Sequence, residues 1–432
     1  MSSEAFVYIM LPGETTFVTA GRFVLTEDRH GTALGRFVYG RRYLARPDAV
    51  ALDPIELPLA ERTYETLRLK GMFGALRDAS PDYWGRRVIE KHAGLAQLGE
   101  IDCLLHSPDD RAGALSFGRA VIPPAPARTY NRTVDLARLQ ALADQFISEE
   151  TSAEATPAEL AQVQDLLLLG TSMGGARPKV VVEDEGQLWI AKFNRTDDPW
   201  NHARVEHAML VLARECGLTT AESRIAEVAG RDVLLVRRFD REPHTDGYRR
   251  ARMLSALTLL RTGDSYQDRD RWSYVLLVEE LRRVSSDPRT DARELFRRMV
   301  FNALISNTDD HPRNHAVIAP GSEWRLSPAY DLVPFPAVSV ERRDLALTIG
   351  DFGRNANVTN LVSQCARFLL TRDEAAQIIN EMEEHVHARW YAVARGVGIT
   401  ERDCATIARA FVYEGFRLEP RQEPTHSRLH RP

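Results

Sequence analysis

The sequence predicts an α+β fold in two lobes, strands first and helices after, with a further β-rich subdomain at the start. Three observations lead there. Short apolar runs broken by glycine-containing turns dominate the first part of the chain. From residue 251 onward apolar residues recur at helical spacing. An acidic loop beginning at Asn307 follows the third of those helical runs, and two short apolar runs come after it.

Taken in order, Gly21-Arg-Phe-Val24 and Gly35-Arg-Phe-Val38 read as strands flanking a polar turn. Ser80 and Pro81 read as the N-cap and first position of an amphipathic helix through Trp84, Val88 and Ile89. Pro123-Pro-Ala-Pro126 marks a break after Phe117, and the polar stretch from Ser148 to Pro157 reads as an exposed connection or a solvated helix start. Beyond it come Leu166 to Leu169, a glycine-rich turn, and strands over Lys179–Glu183 and Leu188–Phe193. A helix follows with Val205, Ala208, Met209, Leu212 and Cys216 on one face and Gly217 as its stop. Val233 to Val236 is another buried strand. Met253, Leu257 and Leu260 mark one helix; Leu276, Leu277, Leu281 and Val284 a second; Leu295, Met299, Val300 and Leu304 a third. Thr371 with Glu374 and Thr400 with Asp403 have capping-box spacing. The expected units are 1–147 (the β-rich subdomain and the start of the first lobe), 148–248 (the rest of that lobe), 249–418 (the helical lobe) and 419–432 (a tail without periodicity).

Composition narrows the function classes. A net charge of −5 argues against a freestanding nucleic-acid binder, which is normally basic. Cys103, Cys216, Cys365 and Cys404 are scattered without CxxC spacing, which suggests a reducing compartment and no zinc site. The N-terminus lacks a basic segment of signal type, and no apolar run approaches the ~18 residues that span a bilayer. A cytoplasmic protein with no membrane partner is expected.

The chemistry concentrates between Asn307 and Asp331. Asp309 precedes Asn314 by five residues, and the apolar runs on either side of Pro320-Gly-Ser322 form a hairpin that returns Asp331 to the end where Asn314 sits. Base, amide and acid then converge, as phosphoryl transfer from Mg·ATP requires. The protein kinase catalytic loop uses the same offset, an Asp for the hydroxyl proton and an Asn for metal. A plain turn is the other reading, since Asp, Asn and Pro crowd turns for backbone reasons. A metal-hydrolase reading of Asp309, Asp310, His311 and His315 lacks an HExxH helix. Ahead of the acids, Trp189-Ile-Ala-Lys192 resembles the Val-Ala-Ile-Lys kinase strand whose lysine meets phosphate, and Glu206, 14 residues on, is a candidate carboxylate to orient it. A solvent-facing strand end is the alternative for Lys192. The segment Gly170-Thr-Ser-Met-Gly-Gly-Ala-Arg-Pro-Lys179 could turn backbone N–H groups toward phosphate, though it is neither a Walker A loop nor GxGxxG. Asp351-Phe-Gly353 spells DFG but lies 37 residues past Asn314, beyond the hairpin, so Asp351 reads as a turn acid and Asp331 as the metal ligand.

Together these residues resemble the HipA family, the serine/threonine kinase toxins of HipBA toxin–antitoxin modules. The likeness runs to about residue 395 through Thr171 to Lys179, Ala191-Lys-Phe193, Val236 to Arg241, Asn307 to His311 with Asn314, and Ala329 to Leu332. It implies a two-lobed protein-kinase-like fold using ATP and Mg²⁺, with Asp309 catalytic and Asn314 and Asp331 on the metal. It further implies a phosphate loop with Ser172, Gly174 and Gly175, Lys192 on phosphate, Lys179 near the nucleotide, and Phe239 beside adenine. By the same likeness Ser172 is autophosphorylated to an inactive state in which the loop is ejected; added negative charge beside the ATP phosphates would repel them. The implied partners are a helix-turn-helix antitoxin of HipB type, operator DNA through that antitoxin, and a protein substrate such as an aminoacyl-tRNA synthetase. Arg237 departs from the pattern beside the hinge, where an acid is common. Two alternatives stay open: a weakly catalytic corepressor that binds antitoxin, and a small-molecule phosphotransferase.

Overall fold

In a computed structural model of the chain, residues 2–418 are described, except 82, 94–97, 128, 149–176, 196 and 337–338. The N-terminal module is a five-stranded antiparallel sheet of order β4-β3-β2-β1-β5. Its strands are β1 (Ser2–Met10), β2 (Phe17–Glu27), β3 (Ala33–Tyr39), β4 (Thr63–Thr66) and β5 (Leu115–Gly118). The two Gly-Arg-Phe-Val runs pair with each other, Phe23 opposite Phe37. At Gly21 a side chain has no room, since a Cβ there would lie 2.3 Å from the Val38 carbonyl oxygen. The helix near residue 83 spans Tyr83–Ala93, so Ser80 does not adjoin its first turn; the Ser80 hydroxyl instead accepts from Arg86 Nη2 at 3.3 Å.

The second sheet, order β6-β7-β8-β10-β9, is the first lobe proper. It contains β6 (Asn131–Arg132), β7 (Lys179–Asp184), β8 (Gln187–Phe193), β9 (Ser223–Val228) and β10 (Arg231–Arg237). The continuous apolar runs of β7 and β10 follow from burial on both faces. Val180, Val182, Ala191, Val233 and Leu235 pack on Leu136, Leu139 and Ala143 of the helix Leu136–Ser148. On the other face Leu234 and Val236 meet Ala203 of α1 (His202–Glu215), which Asn201 caps by accepting from the Arg204 N–H.

A hairpin, β11 (Arg241–His244) with β12 (Gly247–Arg250), leads into the helical lobe. Here the helix expected over Met253 to Leu260 is corrected. Residues Arg252–Ser255 form β13, and only Ala256–Leu259 are helical. The cause is distant: β13 pairs with β14 (Ala316–Ala319), Ser255 opposite Ala316, and β14 pairs with β15 (Arg325–Leu326). The other expected helices form as α2 (Tyr274–Val284), α3 (Pro288–Leu304) and α4 (Arg372–Gly396), the last with the full Thr371–Glu374 capping box. One apolar core runs from Val7, Phe23 and Phe37 of the first sheet to Leu281, Phe296 and Leu304 of the helical lobe. Among the described residues no helix is long and apolar enough to cross a membrane.

The modules are also joined by charge. Arg238 and Arg241, just past β10, have fully buried side chains. Arg238 donates to Asp110, to Asp240 at 2.9 and 3.0 Å, and to the Arg111 carbonyl at 2.7 Å. Arg241 donates to Asp240 at 2.7 Å and to the Gly113 carbonyl at 2.9 Å. Outside this seam, Arg250 meets Asp109 at 3.0 Å.

Candidate active site

Strand β8 ends with Lys192 turned into the cleft beneath the second sheet. Its ammonium donates to Glu206 Oε1 and Asp331 Oδ1, each at 2.7 Å. Glu206 reaches it from α1, whose cap sets the helix start four residues earlier. Lys179 sits directly across from Lys192 in the β7–β8 register, so both side chains share one face of the sheet. Two cations side by side call for negative charge, and the carboxylates around Lys192 supply part of it. Burial alone would lower the Lys192 ammonium, but Asp331 and Glu206 hold it above the ordinary lysine value. Burial likewise works against charge on Asp331, yet Lys192 brings its carboxyl down to about 2. For Glu206 burial wins over Lys192 and pushes the carboxyl up.

The acidic loop enters from the other side. After α3 the chain turns at Ser306 (φ 54°), Asp309 is exposed, and Pro312–Asn314 makes a single 3₁₀ turn that carries the buried Asn314 into the cleft. The Asn314 side-chain amide lies 3.5 Å from the Asp309 carbonyl oxygen. Partial loss of water, helped by the carboxylates of Asp331 and Asp310, raises the Asp309 carboxyl against the pull of His311. Strands β14 and β15 bring the chain back as expected, Val317 opposite Leu326. Asp331 itself is left-handed, with φ 59°, which aspartate tolerates better than most residues. The turn holds because Ala329 bonds to Thr219 and Ala221 of the first lobe (2.8 and 2.9 Å), and the Tyr330 hydroxyl donates to the Arg313 carbonyl at 2.8 Å. Asp351, by contrast, lies in an exposed turn closed between Gly350 and Gly353 and accepts from Gln364 at 2.6 Å.

Between the lobes is a cavity of about 110 Å³ whose floor and roof include Ile190, Val236, Phe239, Met253 and Tyr330, with Lys179, Lys192, Asn314 and Asp331 at its polar end. Phe239 and Tyr330 stack obliquely, centroids 5.7 Å apart. Arg237 also borders this cavity and donates to Glu222 at 3.0 Å. Sequence reasoning did not find Asp78, which lines this cavity and accepts from the Ser255 N–H (2.7 Å) and the Ser255 and Thr258 hydroxyls (2.6 and 2.7 Å). Nothing local marks it, since its partners are about 180 residues away. Tyr330 could have been found from its adjacency to Asp331. The expected phosphate-loop residues Ser172, Gly174 and Gly175 lie outside the described residues.

The donor set fits a shared metal ion. Asn314 and Asp331 offer one amide and one carboxylate oxygen, the hard and incomplete set with which Mg²⁺ is usually held, phosphate oxygens and water completing the shell. A self-contained metal cage is not built: among the described residues no group of three or more His, Cys, Asp or Glu is placed to hold an ion. Asp310 and His315 turn into the core, where His315 Nε2 lies 2.9 Å from Asp310 and the Tyr274 hydroxyl donates to the same carboxylate. That removes the hydrolase arrangement.

Comparison with known proteins gives a consistent result. The sequence model of a family described as HipA-like C-terminal domain matches residues 171–390, and one described as HipA N-terminal domain matches residues 19–118. A protein of Sinorhizobium fredii that bears a provisional kinase name is 27% identical over 356 residues, 76% of this chain and 79% of its own length. A Haemophilus influenzae protein, also provisionally named a kinase, is 26% identical over 189 residues, 39% of this chain and 55% of the relative. Among solved structures, HipA of Shewanella oneidensis in complex with HipB and operator DNA superposes with a TM-score of 0.65 at 18% identity, over 93% of this chain and 94% of that one. At that identity the likeness shows the fold.

Proposed function

Because the chain belongs to the HipA family, we propose that it is a kinase that moves the γ-phosphoryl group of ATP to a serine or threonine hydroxyl of a protein. The observation that supports this most is Lys192 bridged between Glu206 and Asp331 at 2.7 Å each, with Asp309 and Asn314 delivered opposite by one loop. Lys192 and Lys179 hold phosphate oxygens, and the apolar walls around Phe239 take the base. Asp309 orients the acceptor hydroxyl and receives its proton, a task suited to a carboxyl raised above its ordinary value. Asn314 and Asp331 would hold Mg²⁺, which when bound neutralises charge on the phosphates.

The domain reading, the toxin role and the partners belong to the same proposal. A HipB-type helix-turn-helix antitoxin is the protein partner, and DNA is reached through it; the Shewanella complex supports that assignment. The target is a translation component such as an aminoacyl-tRNA synthetase. Ser172 is the site of self-inactivation.

The test is pure protein with labelled ATP and a host lysate, beside Asp309→Asn. Label should enter a discrete host protein. The variant should lose about 10²–10⁴-fold in transfer while its nucleotide affinity stays within a few-fold. Slow mass gain on the Ser172 peptide should appear in the wild type and not in the variant. Full transfer by Asp309→Asn refutes the assignment.

A further inference from the structure

The acidic loop has a second, inward face. Asp309 and Asn314 stand five residues apart and serve the cleft. The residues that follow each of them, Asp310 and His315, stand five apart as well and are buried. Asp310 Oδ2 accepts from His315 Nε2 at 2.9 Å and from the Tyr274 hydroxyl. Asn302 donates to that hydroxyl at 3.1 Å and accepts from Asn307 Nδ2, also at 3.1 Å. The same Nδ2 comes within 3.5 Å of the Asp331 carbonyl oxygen. We propose that this buried chain of hydrogen bonds positions the site: Tyr274, Asp310 and His315 hold the loop that bears Asp309 and Asn314 in one fixed relation to Asp331. What the fixed geometry is used for rests on the kinase reading; the anchoring itself does not.

Stability alone does not call for such a network. Every one of these side chains is buried, Tyr274 and Asn302 completely. A carboxylate taken out of water recovers only part of its hydration from two hydrogen bonds. Well-packed apolar residues of similar volume often serve stability as well or better. They do not supply direction. A hydrogen bond fixes distance and angle, and a satisfied chain of them selects one arrangement of the elements it joins.

The elements joined are those that frame the loop. Tyr274 opens α2, and its N–H donates to the Thr348 carbonyl at 3.0 Å. Asn302 lies in the last turn of α3. His315 leads into β14, and its carbonyl accepts from the Ala256 N–H at 2.8 Å. The span from Asp309 to Asn314 is therefore pinned from behind at both ends. Asp309 depends on that pinning, because among the described residues nothing hydrogen-bonds its carboxylate. Its place is set by the backbone, which its neighbour Asp310 holds. None of the three touches the reacting atoms, so they are positioning residues.

The experiment compares four variants of the full chain: His315→Phe, His315→Gln, Tyr274→Phe, and Asp310→Leu combined with His315→Phe. Glutamine keeps an N–H donor for Asp310, whereas phenylalanine keeps only a ring. The double variant removes carboxylate and donor together, which leaves no buried charge unanswered. Amide exchange followed by mass spectrometry needs no activity. The peptide over 307–315 should exchange at least about tenfold faster in His315→Phe, Tyr274→Phe and the double variant, the size of one hydrogen bond to a charged group. The middle turns of α2 and α3 should be unchanged, and His315→Gln should stay near wild type. Transfer from labelled ATP should follow the same ranking, with kcat down about 10²-fold, the scale of a misplacement of about 1 Å, and KM for ATP within a few-fold.

The double variant decides between position and stability. Its thermal midpoint should return toward the wild-type value while exchange and kcat do not. Recovery of all three would make the network a stability feature and overturn the proposal. Wild-type exchange in the loop of Tyr274→Phe, which loses one hydroxyl and folds even if His315→Phe does not, would overturn it equally. Faster loop exchange in the variants beside a wild type that transfers no label would sink the kinase reading and keep the anchoring. Transfer by the wild type with a loop indifferent to the variants would do the reverse.

Discussion

Asp53 is a residue whose chemistry is set entirely by its surroundings. One carboxylate oxygen accepts from the Ile55 and Glu56 N–H groups at 2.7 and 3.1 Å; the other is buried with no partner. Burial pushes its carboxyl up to about 7. The folded state thus binds this proton more tightly than the unfolded one, whose value is near ~3.9. The associated stability is full below about pH 4 and is lost as pH rises through about 7. Asp53→Asn should therefore flatten the fall in urea midpoint between pH 5 and 7.5; a slope as steep as that of the wild type would show that another group titrates there. No sequence pattern marks Asp53, because its state depends on packing. Asp309, Asn314, Lys192 and Glu206 could be picked out because the proposed reaction calls for these residue types at this spacing; the structure brings Glu206 to Lys192 and Asn314 to the same cavity. Asp78 could not be picked out, and neither could the turn of Asp310 into the core, since both depend on partners met only after folding.

At the scale of elements, the β14–β15 hairpin decides which acid faces Lys192. Pro320-Gly-Ser322 is a strong turn signal, so the return to Asp331 could be read directly. The strand β13 could not, because it forms by pairing with β14 some sixty residues on, and its apolar spacing suits a helix equally well. The hairpin leads to an expected contrast. Asp331→Ala should weaken Mg²⁺-dependent nucleotide binding by at least about 10-fold, the scale on which even supporting groups of a metal site act. Asp351→Ala should leave it unchanged, since that side chain only accepts from Gln364. Calorimetry of both variants with Mg·ATP checks this, and the opposite ranking would transfer the metal to the DFG acid.

For the whole molecule, the seam of Asp110, Arg238, Asp240 and Arg241 matters most. The arginines at and after the end of β10 were visible in the sequence, but their partners were not: Arg237 donates to nearby Glu222, whereas Arg238 and Arg241 turn inward to a segment more than a hundred residues earlier. Removing one partner from a buried charge network costs about 3–5 kcal/mol. Asp110→Ala should lose stability on that order in urea unfolding. It should also weaken nucleotide binding, because Arg238 borders the nucleotide cavity. Stability lost with nucleotide affinity intact would mean that the seam holds the modules together without setting the hinge. The same seam bears on descent as well as mechanics. Recombination that swaps the first 118 or so residues between relatives transplants Asp109 and Asp110 without the arginines they answer. Exchanges that survive must bring both halves together, so the N-terminal module and the hinge are expected to be inherited as one unit.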